Sequence, residues 1–355
     1  MRYFKYGLLF LVLLLLGGFW YASPLLEVGA GYAAKMACSC HYIQGRSLDD
    51  IHSNDLNFSA LPMMKLQKLE EKQGVRASFY GLVSQEAHFV EGRGCVLFVD
   101  DALPLPDPIA DPQLQLASQA WATYDTLPAG LRIDQLAVAA NTAFQPLPGG
   151  GTRGLVILYD GHLVYERYAD GFSTDTPLLG WSMTKSVTNA LVGLMVKNGK
   201  LSLDQDKLFP EWANDERASI TLADLLHMNS GLEWNEAYGG VSDATQMLYR
   251  QPSMADYAAA KPLVSEPNTN WVYSSGTTNL LSQLVRNALN DEAAYATFAR
   301  DSLFLPAGMH SARIEVDQSG SYVGSSYGWA TARDWARFAQ LYMDEGRGDG
   351  YQLLP

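Results

Sequence analysis

The sequence predicts an α+β fold, in which an antiparallel sheet is flanked by helices. Two runs rich in β-branched and aromatic residues, 155–159 and 162–168, flank Asp160 and Gly161. An Asp-Gly pair in this place predicts a tight hairpin, because both central turn residues need a positive φ. With 355 residues, of which 48% are hydrophobic, the chain can bury at least one large core.

Several segments carry the signals of capped helices. A long apolar helix is predicted to begin at Ser182 and to end at Gly199, whose backbone can adopt the left-handed cap. Thr221 and Asp224 are spaced as in a capping box, which opens another helix. Further helices are predicted at residues 59–73, 131–144, 278–289 and 333–345, and short strands at residues 77–82 and 95–99.

The N-terminus differs in composition from the rest of the chain. Arg2 and Lys5 precede an uncharged, strongly apolar stretch over residues 6–26. This order is typical of a signal sequence or a membrane anchor, and positive charge before the stretch predicts that the rest of the chain is exported. Residues 21–24 form a poor cleavage site, so we expect a retained inner-membrane anchor with the exported part in the periplasm.

Composition also suggests how the chain is divided. Residues 1–26 are the predicted anchor and residues 27–102 an exported N-terminal segment. Residues 103–112 contain four prolines, which suit neither a helix interior nor a central strand, so they are predicted to form a linker. Residues 113–355 are predicted to form the main domain.

The net charge, the histidines and the cysteines indicate which ligands and which disulfide to expect. A net charge of −13 disfavours nucleic acid as a partner, because phosphate binding needs clustered Lys and Arg. The six histidines are scattered without the spacing of metal ligands, so no metal is predicted. In an oxidising compartment the three cysteines allow one disulfide, in which Cys95 pairs with Cys38 or Cys40; three free thiols are the alternative. We take Cys38–Cys95 as the candidate pair.

Two glycine-rich motifs match known patterns but fail on context. Gly149-x-Gly151-x-x-Gly154 fits a dinucleotide fingerprint, yet it precedes a strand where that mechanism requires it to follow one. Residues 324–328 fit the G-x-S-x-G nucleophile elbow, but no histidine follows His310 to complete a triad in the expected order. We interpret the first motif as a flexible approach to the hairpin and the second as a glycine/serine turn.

A third motif, Ser182-x-x-Lys185, lies in a more favourable place. Ser182 is predicted in the first helical turn, where free N–H groups and the helix dipole favour developing negative charge. Lys185 lies on the same helical face. Burial among apolar neighbours disfavours a charged lysine, so this amine can accept the hydroxyl proton. The alternative is that Ser182 is only an N-cap and Lys185 a surface residue.

With its surroundings, this motif resembles the serine β-lactamases, the penicillin-binding proteins and their esterase and amidase relatives. The resemblance covers residues 154–354, and it depends on the hairpin and on residues 180–188, 224–232 and 271–276. The Tyr-x-Ser form of the second motif resembles the 6-aminohexanoate-dimer hydrolase group within that family. The resemblance implies a β-lactamase/transpeptidase-like fold, with a helical subdomain beside the sheet.

The resemblance also implies roles for individual residues. Ser182 would be acylated, Lys185 would take its proton, and Tyr273 would carry protons between nucleophile and leaving group. Ser275 would form a hydrogen bond with Lys185 or the substrate, and Tyr238 would lie on the substrate side.

Three further residues in these segments are given non-catalytic interpretations. Trp181 is predicted to be a wall of the substrate pocket or part of the core. His227 and Asp224 are predicted to be structural, as a lone histidine at a helix end and a helix cap.

One family feature has no counterpart here. The third motif, Lys-Thr-Gly or a relaxed form such as His-x-Gly, is missing before Pro355. The family pattern would continue through another helix and further strands, so we expect a C-terminally truncated version with an incomplete sheet. One oxyanion donor would be lost with that strand, and removal of one such donor costs roughly 2.7–4 kcal/mol in barrier height.

The predicted function is that of an exported serine hydrolase, which cleaves a carboxylic ester or small amide through an acyl-enzyme and needs no cofactor. Penicillin-binding, D-peptidase or β-lactamase activity is an alternative within the family. A catalytically silent acyl-binding or sensor domain is an alternative of another class.

Overall fold

The fold is taken from a computed structural model, which describes residues 2–110, 121–146, 151–348 and 350–355. The helices are α1 (Arg2–Tyr42), α2 (Leu48–Asp55), α3 (Ile133–Ala143), α4 (Thr184–Lys197), α5 (Leu222–Leu226), α6 (Asp243–Arg250), α7 (Met254–Ala259), α8 (Ser275–Leu289), α9 (Glu292–Ala299) and α10 (Ala332–Met343). The strands are β1 (Met64–Leu69), β2 (Gly74–Phe79), β3 (Val83–Val90), β4 (Gly94–Phe98), β5 (Gly154–Tyr159), β6 (His162–Tyr168), β7 (Leu178–Leu179), β8 (Arg313–Ile314), β9 (Gly328–Ala330), β10 (Arg347–Gly348) and β11 (Tyr351–Gln352). Every strand pairing among the described residues is antiparallel, so the α+β prediction is confirmed.

The N-terminal part is a four-stranded meander covered by one long helix. Strands β1 to β4 pair in chain order, and α1 packs across their face. Small residues of α1, among them Ala33 and Ala37, are fully buried and let the helix lie close to the sheet. Val75 and Ala87 supply the facing side of this interface and are also fully buried. Apolar burial on both surfaces holds α1 on the sheet.

The helix predicted at residues 59–73 is wrong. A 3₁₀ turn at Leu61–Met63 leads into β1, and a turn then leads into β2. Lysines such as Lys65 and Lys68 favour a helix locally, but β1 is one of the two edge strands of this sheet, where charged side chains can face water. The strands predicted at 77–82 and 95–99 are present as β2 and β4, with shifted bounds.

Of the predicted membrane anchor over residues 1–26, the described residues 2–26 lie within α1. In the part of the chain that the structure describes, no helix combines the length and the apolar character needed to cross a membrane. The prediction of a membrane anchor is therefore not supported.

The Asp-Gly hairpin is confirmed as β5 and β6. Asp160 and Gly161 have φ angles of 47° and 73°, as the predicted turn requires. Helix α10 packs against β5, and α3 packs against β6. Within the described ranges no third strand pairs with this hairpin, and a separate small sheet has the order β7, β9, β8.

The predicted helix caps are also present. Gly199 follows α4 with a φ of 67°, and Thr221 and Asp224 form a complete capping box at the start of α5. The helices predicted at 131–144, 278–289 and 333–345 correspond to α3, α8 and α10.

Helix α1 and the sheet share one hydrophobic core with the later helices. Fully buried side chains of α1, such as Ala34, belong to the same cluster as Leu191 of α4 and Leu280 of α8. Leu105, in the proline-rich stretch, packs against this core as well. The domain boundaries around residues 103–112 stay predictions, since residues 111–120 lie outside the described residues.

Candidate active site

Ser182 lies in a 3₁₀ turn, Trp181–Met183, immediately before α4. Its side chain is exposed. Trp181 has a φ of 43°, in the left-handed region that costs a non-glycine residue about 1–3 kcal/mol. With this backbone conformation, Ser182 lies in the turn and not in the regular helix. The N-cap of α4 is Met183, which makes no side-chain cap, so Ser182 is not the N-cap of this helix.

Lys185 meets the Ser182 hydroxyl from the next turn. Its Nζ donates to Ser182 Oγ at 3.2 Å and to the backbone carbonyl of Ser325 at 2.9 Å. The side chain is half-buried, unlike that of a free surface lysine. The carbonyl of Ser325 fixes the amine beside the hydroxyl, in a geometry suited to proton transfer between them.

Tyr273 lies in the loop before α8 and contacts the same amine. The Nζ of Lys185 is 4.9 Å from the centroid of the Tyr273 ring. The structure thus brings together the three residues predicted to be catalytic. The contact with Tyr273 is made to the ring face, as in a cation–π pair.

Ser275 is bonded to the loop that carries Tyr238, and its predicted bond to the substrate stays a prediction. Its hydroxyl donates to Glu236 Oε1 at 2.6 Å and lies 3.3 Å from the Tyr238 hydroxyl. Its backbone N–H donates to Glu236 Oε2 at 2.9 Å. Because this hydroxyl is fully buried and held by Glu236, it contacts the loop of Tyr238, and no bond to Lys185 is found among its described partners.

Glu236 is the organising residue of this loop, and sequence reasoning missed it. Its Oε1 also accepts from the Tyr238 hydroxyl at 2.6 Å, and the Trp234 indole donates to its Oε2. Burial and the hydrogen bond to Glu236 raise the pKa of Tyr238 above its ordinary value, so its hydroxyl stays protonated. The segment 234–238 is a short run of mostly polar and aromatic residues in a loop, which gives no local signal for this role.

The rejected G-x-S-x-G stretch lies beside the site for a packing reason. A Cβ at Gly324 would be 2.3 Å from the Thr188 hydroxyl, and one at Gly328 would be 2.7 Å from the Thr184 hydroxyl. The same two threonines form hydrogen bonds with this loop. The Thr188 hydroxyl donates to the Gly324 carbonyl, and the Thr184 hydroxyl accepts from the Gly328 N–H, both at 2.9 Å. Because the loop lies this close to α4, the Ser325 carbonyl can accept a hydrogen bond from Lys185 Nζ. In the sequence, the signal for this contact was the pair Thr184 and Thr188, which lie four residues apart in α4.

Trp181 forms a wall next to the nucleophile. Its ring stacks on Tyr32 of α1 with centroids 6.3 Å apart and lies 5.8 Å from the Tyr327 ring. A cavity of about 490 Å³ adjoins it, and Ser182, Tyr238 and residues of α1 are among the lining residues. The pocket-wall interpretation of Trp181 fits this position.

The remaining predicted residues lie apart from this cluster. Cys38 of α1 and Cys95 of β4 form a disulfide, with their Cα atoms 5.9 Å apart, and Cys40 is free and buried. His227 follows α5, where its backbone N–H donates to the Ala223 carbonyl. Within the described ranges no three His, Cys, Asp or Glu side chains are grouped so as to hold a metal ion. Gly149 lies outside the described residues.

Comparison with known proteins gives consistent matches. The beta-lactamase family profile matches residues 140–353. The 6-aminohexanoate-dimer hydrolase of Paenarthrobacter ureafaciens is 26% identical over 238 residues, which cover 63% of this chain and 60% of that protein. The chain thus spans less than two thirds of this curated relative. A solved Bacillus anthracis structure, described as a 6-aminohexanoate-dimer hydrolase, is 23% identical with a TM-score of 0.54, over 73% of this chain and 69% of its own.

Proposed function

The chain belongs to the beta-lactamase family, and on that premise we propose that it is a serine hydrolase acting through an acyl-enzyme. The observation that carries the proposal is the contact of 3.2 Å between Lys185 Nζ and Ser182 Oγ. A serine hydroxyl is a weak nucleophile until an adjacent base accepts its proton. The proposed substrates are carboxylic esters and small amides.

The proposed first step forms the acyl-enzyme. Ser182 Oγ attacks the carbonyl carbon while its proton passes to Lys185 Nζ. In this proposal the backbone N–H of Ser182 stabilises the oxygen of the tetrahedral intermediate, since the Met183 N–H already donates to the Gly180 carbonyl. The bond to the leaving group then breaks, and the leaving alcohol or amine takes the proton from Lys185, with Tyr273 beside the amine as the proposed relay.

The second step releases the acid. A water molecule attacks the acyl carbon and gives one proton to the amine, which passes it to the Ser182 oxygen as the ester bond breaks. The products are one carboxylic acid and one alcohol or amine, and the enzyme returns to its starting state. Besides the substrate and water, these steps use side chains and backbone groups of the chain.

A serine-directed label tests the nucleophile and the base together. The full chain is treated with a fluorophosphonate probe, and the modified peptide is identified by mass spectrometry. We expect one label at Ser182, none in Ser182→Ala, and labelling about 10²–10⁴ slower in Lys185→Met, because general-base help is lost. Lys200→Met, at an exposed lysine beyond the same helix, is the matched control. Label that persists in Ser182→Ala would show that the nucleophile is another residue.

Release of p-nitrophenol from p-nitrophenyl acetate separates hydrolase from sensor. A hydrolase turns over many times, whereas an acyl-binding domain gives a single stoichiometric burst.

We further propose that the protein functions in an oxidising compartment outside the cytoplasm. The support is the Cys38–Cys95 disulfide, since disulfides persist mainly in such compartments. Thiol alkylation followed by mass spectrometry of protein from periplasmic and cytoplasmic fractions would test this. Reduced Cys38 and Cys95 in the native protein would contradict it.

A further inference from the structure

We infer that the substrate of this site carries an uncharged apolar acyl chain of medium length, which binds in the cavity between α1 and Ser182. The inference rests on the proposed function and names the substrate class of that site.

The walls of this cavity are apolar over most of their surface. Its volume is about 490 Å³, within the range of small-molecule sites. Leu25, Leu26 and Val28 of α1 form one side, and Leu61 and Met64 of the following segment form another. Among the described residues that line it, none carries a charged side chain. Such walls favour methylene groups, because transfer of apolar surface out of water is favourable.

The same walls disfavour charged substrates. A carboxylate or an ammonium group placed here would lose its hydration without gaining an ionic partner. A second cavity of about 640 Å³, which Trp181 also lines, does carry charged residues, Asp55 and Arg153, but Ser182 does not line it. The cavity that reaches the nucleophile is therefore the uncharged one.

The position of the proton-transfer groups indicates which half of the substrate enters this cavity. Lys185 and Tyr273 are absent from its lining, although Ser182 is part of it. The leaving group must receive its proton from the amine, so it lies on the side of Lys185. The acyl half, which stays bonded to Ser182 Oγ after the first step, then extends into the apolar cavity.

A chain-length series tests the inference. We expect kcat/KM of the full chain to rise at least about tenfold from p-nitrophenyl acetate to p-nitrophenyl octanoate, since each methylene added in an apolar pocket improves transition-state binding. In Leu25→Asp a carboxylate stands at the cavity wall, and the octanoate-to-acetate ratio should fall at least about tenfold. Leu25 is 50% exposed, so the fold tolerates the change. Leu82→Asp, at a leucine that is 63% exposed in the β2–β3 turn, is the control and should leave the ratio unchanged.

The outcomes separate this inference from the proposed function. Equal kcat/KM for both esters, with no effect of Leu25→Asp on the ratio, overturns the inference and leaves the hydrolase proposal intact. If neither ester is hydrolysed, calorimetric titration of Ser182→Ala with octanamide and acetamide decides. Octanamide binding at least about tenfold tighter, and weakened by Leu25→Asp, supports the cavity assignment although the hydrolase proposal fails. Equal or absent binding of both amides overturns the inference.

Discussion

Asp317 is a carboxylate buried to 4% exposure, away from the Ser182 site. Its Oδ2 accepts from the Met254 N–H at 2.9 Å, and its Oδ1 accepts from the Ser319 hydroxyl at 2.6 Å and the Ser321 N–H at 3.1 Å. Burial outweighs these bonds and raises the pKa of Asp317 to about 6. The residue therefore changes charge between mildly acidic and neutral pH.

We expect Asp317→Asn to reduce the pH dependence of stability. An acid whose pKa is higher in the folded than in the unfolded state stabilises the fold below its ordinary pKa, and this contribution is lost as pH rises through the folded value of about 6. Between pH 4 and about 6 the free energy of unfolding of the native protein should thus fall relative to that of the variant. Urea denaturation of both proteins across this range measures the difference. Parallel curves for the two proteins would contradict the prediction.

At the Ser182 site, sequence reasoning identified the residues whose relation is local. Ser182 and Lys185 are three positions apart on one helical turn, so spacing alone predicts their contact. Glu236 and Ser275 meet across 39 positions, and the Ser325 carbonyl reaches Lys185 across 140. Nothing in the local sequence indicates which distant segments the fold brings together, and for that reason the bond between Ser275 and Glu236 was not predicted.

At the scale of elements, the loop of residues 324–328 and helix α4 depend on one close approach. We expect Gly324→Ala to destabilise the protein by about 1–3 kcal/mol, because its Cβ would overlap the hydroxyls of Thr188 and Ser282, both at 2.3 Å. The loop would then move away from α4, and the carbonyl of Ser325 would leave Lys185. Thermal unfolding and the rate of fluorophosphonate labelling report the two effects.

The control for this prediction is Gly151→Ala, because a Cβ there meets no atom within 4 Å. Equal unfolding midpoints for the two alanine variants would show that the loop is not held by close packing.

The elements that were predicted well are those with local signals. The hairpin has its Asp-Gly turn, and α4 and α5 have caps within a few residues of their ends. The sheet of β1 to β4 has no such signal, since it is defined by pairing between strands and by the cover of α1. Edge position and long-range burial there override the helix preference of the charged residues in β1.

Across the whole molecule, Glu315 joins the N-terminal part to the later sheet. Its carboxylate pairs with Lys35 of α1 at 2.9 Å and accepts from the Cys95 N–H of β4 at 2.6 Å. The Trp329 indole of β9 also donates to it, at 2.9 Å. Lys35 and Glu315 are 2% and 0% exposed, so α1, β4 and β9 share one buried ionic centre.

We expect Lys35→Met to lower the free energy of unfolding by about 3–5 kcal/mol, because it leaves the buried Glu315 without its cation. Urea denaturation followed by tryptophan fluorescence measures the loss, and it should remain a single transition. Lys68→Met is the control, since the ion pair of Lys68 with Glu70 is largely exposed and should contribute at most about 1 kcal/mol.

The double variant Lys35→Met with Glu315→Gln should lose less than the sum of the two single changes, because no unpaired charge remains. Additive losses, or a Lys35→Met variant as stable as Lys68→Met, would show that this pair does not hold the two parts together.

The wall that α1 gives to the cavity lies outside the family match of residues 140–353. The reactive groups and this part of the cavity wall are therefore encoded in separate stretches of the chain. Substitutions in α1 can alter which molecules are accepted while the bond-breaking residues stay as they are. Relatives that share Ser182 and α4 but have a different segment in place of α1 are expected to differ in substrate selectivity more than in the reaction that they catalyse.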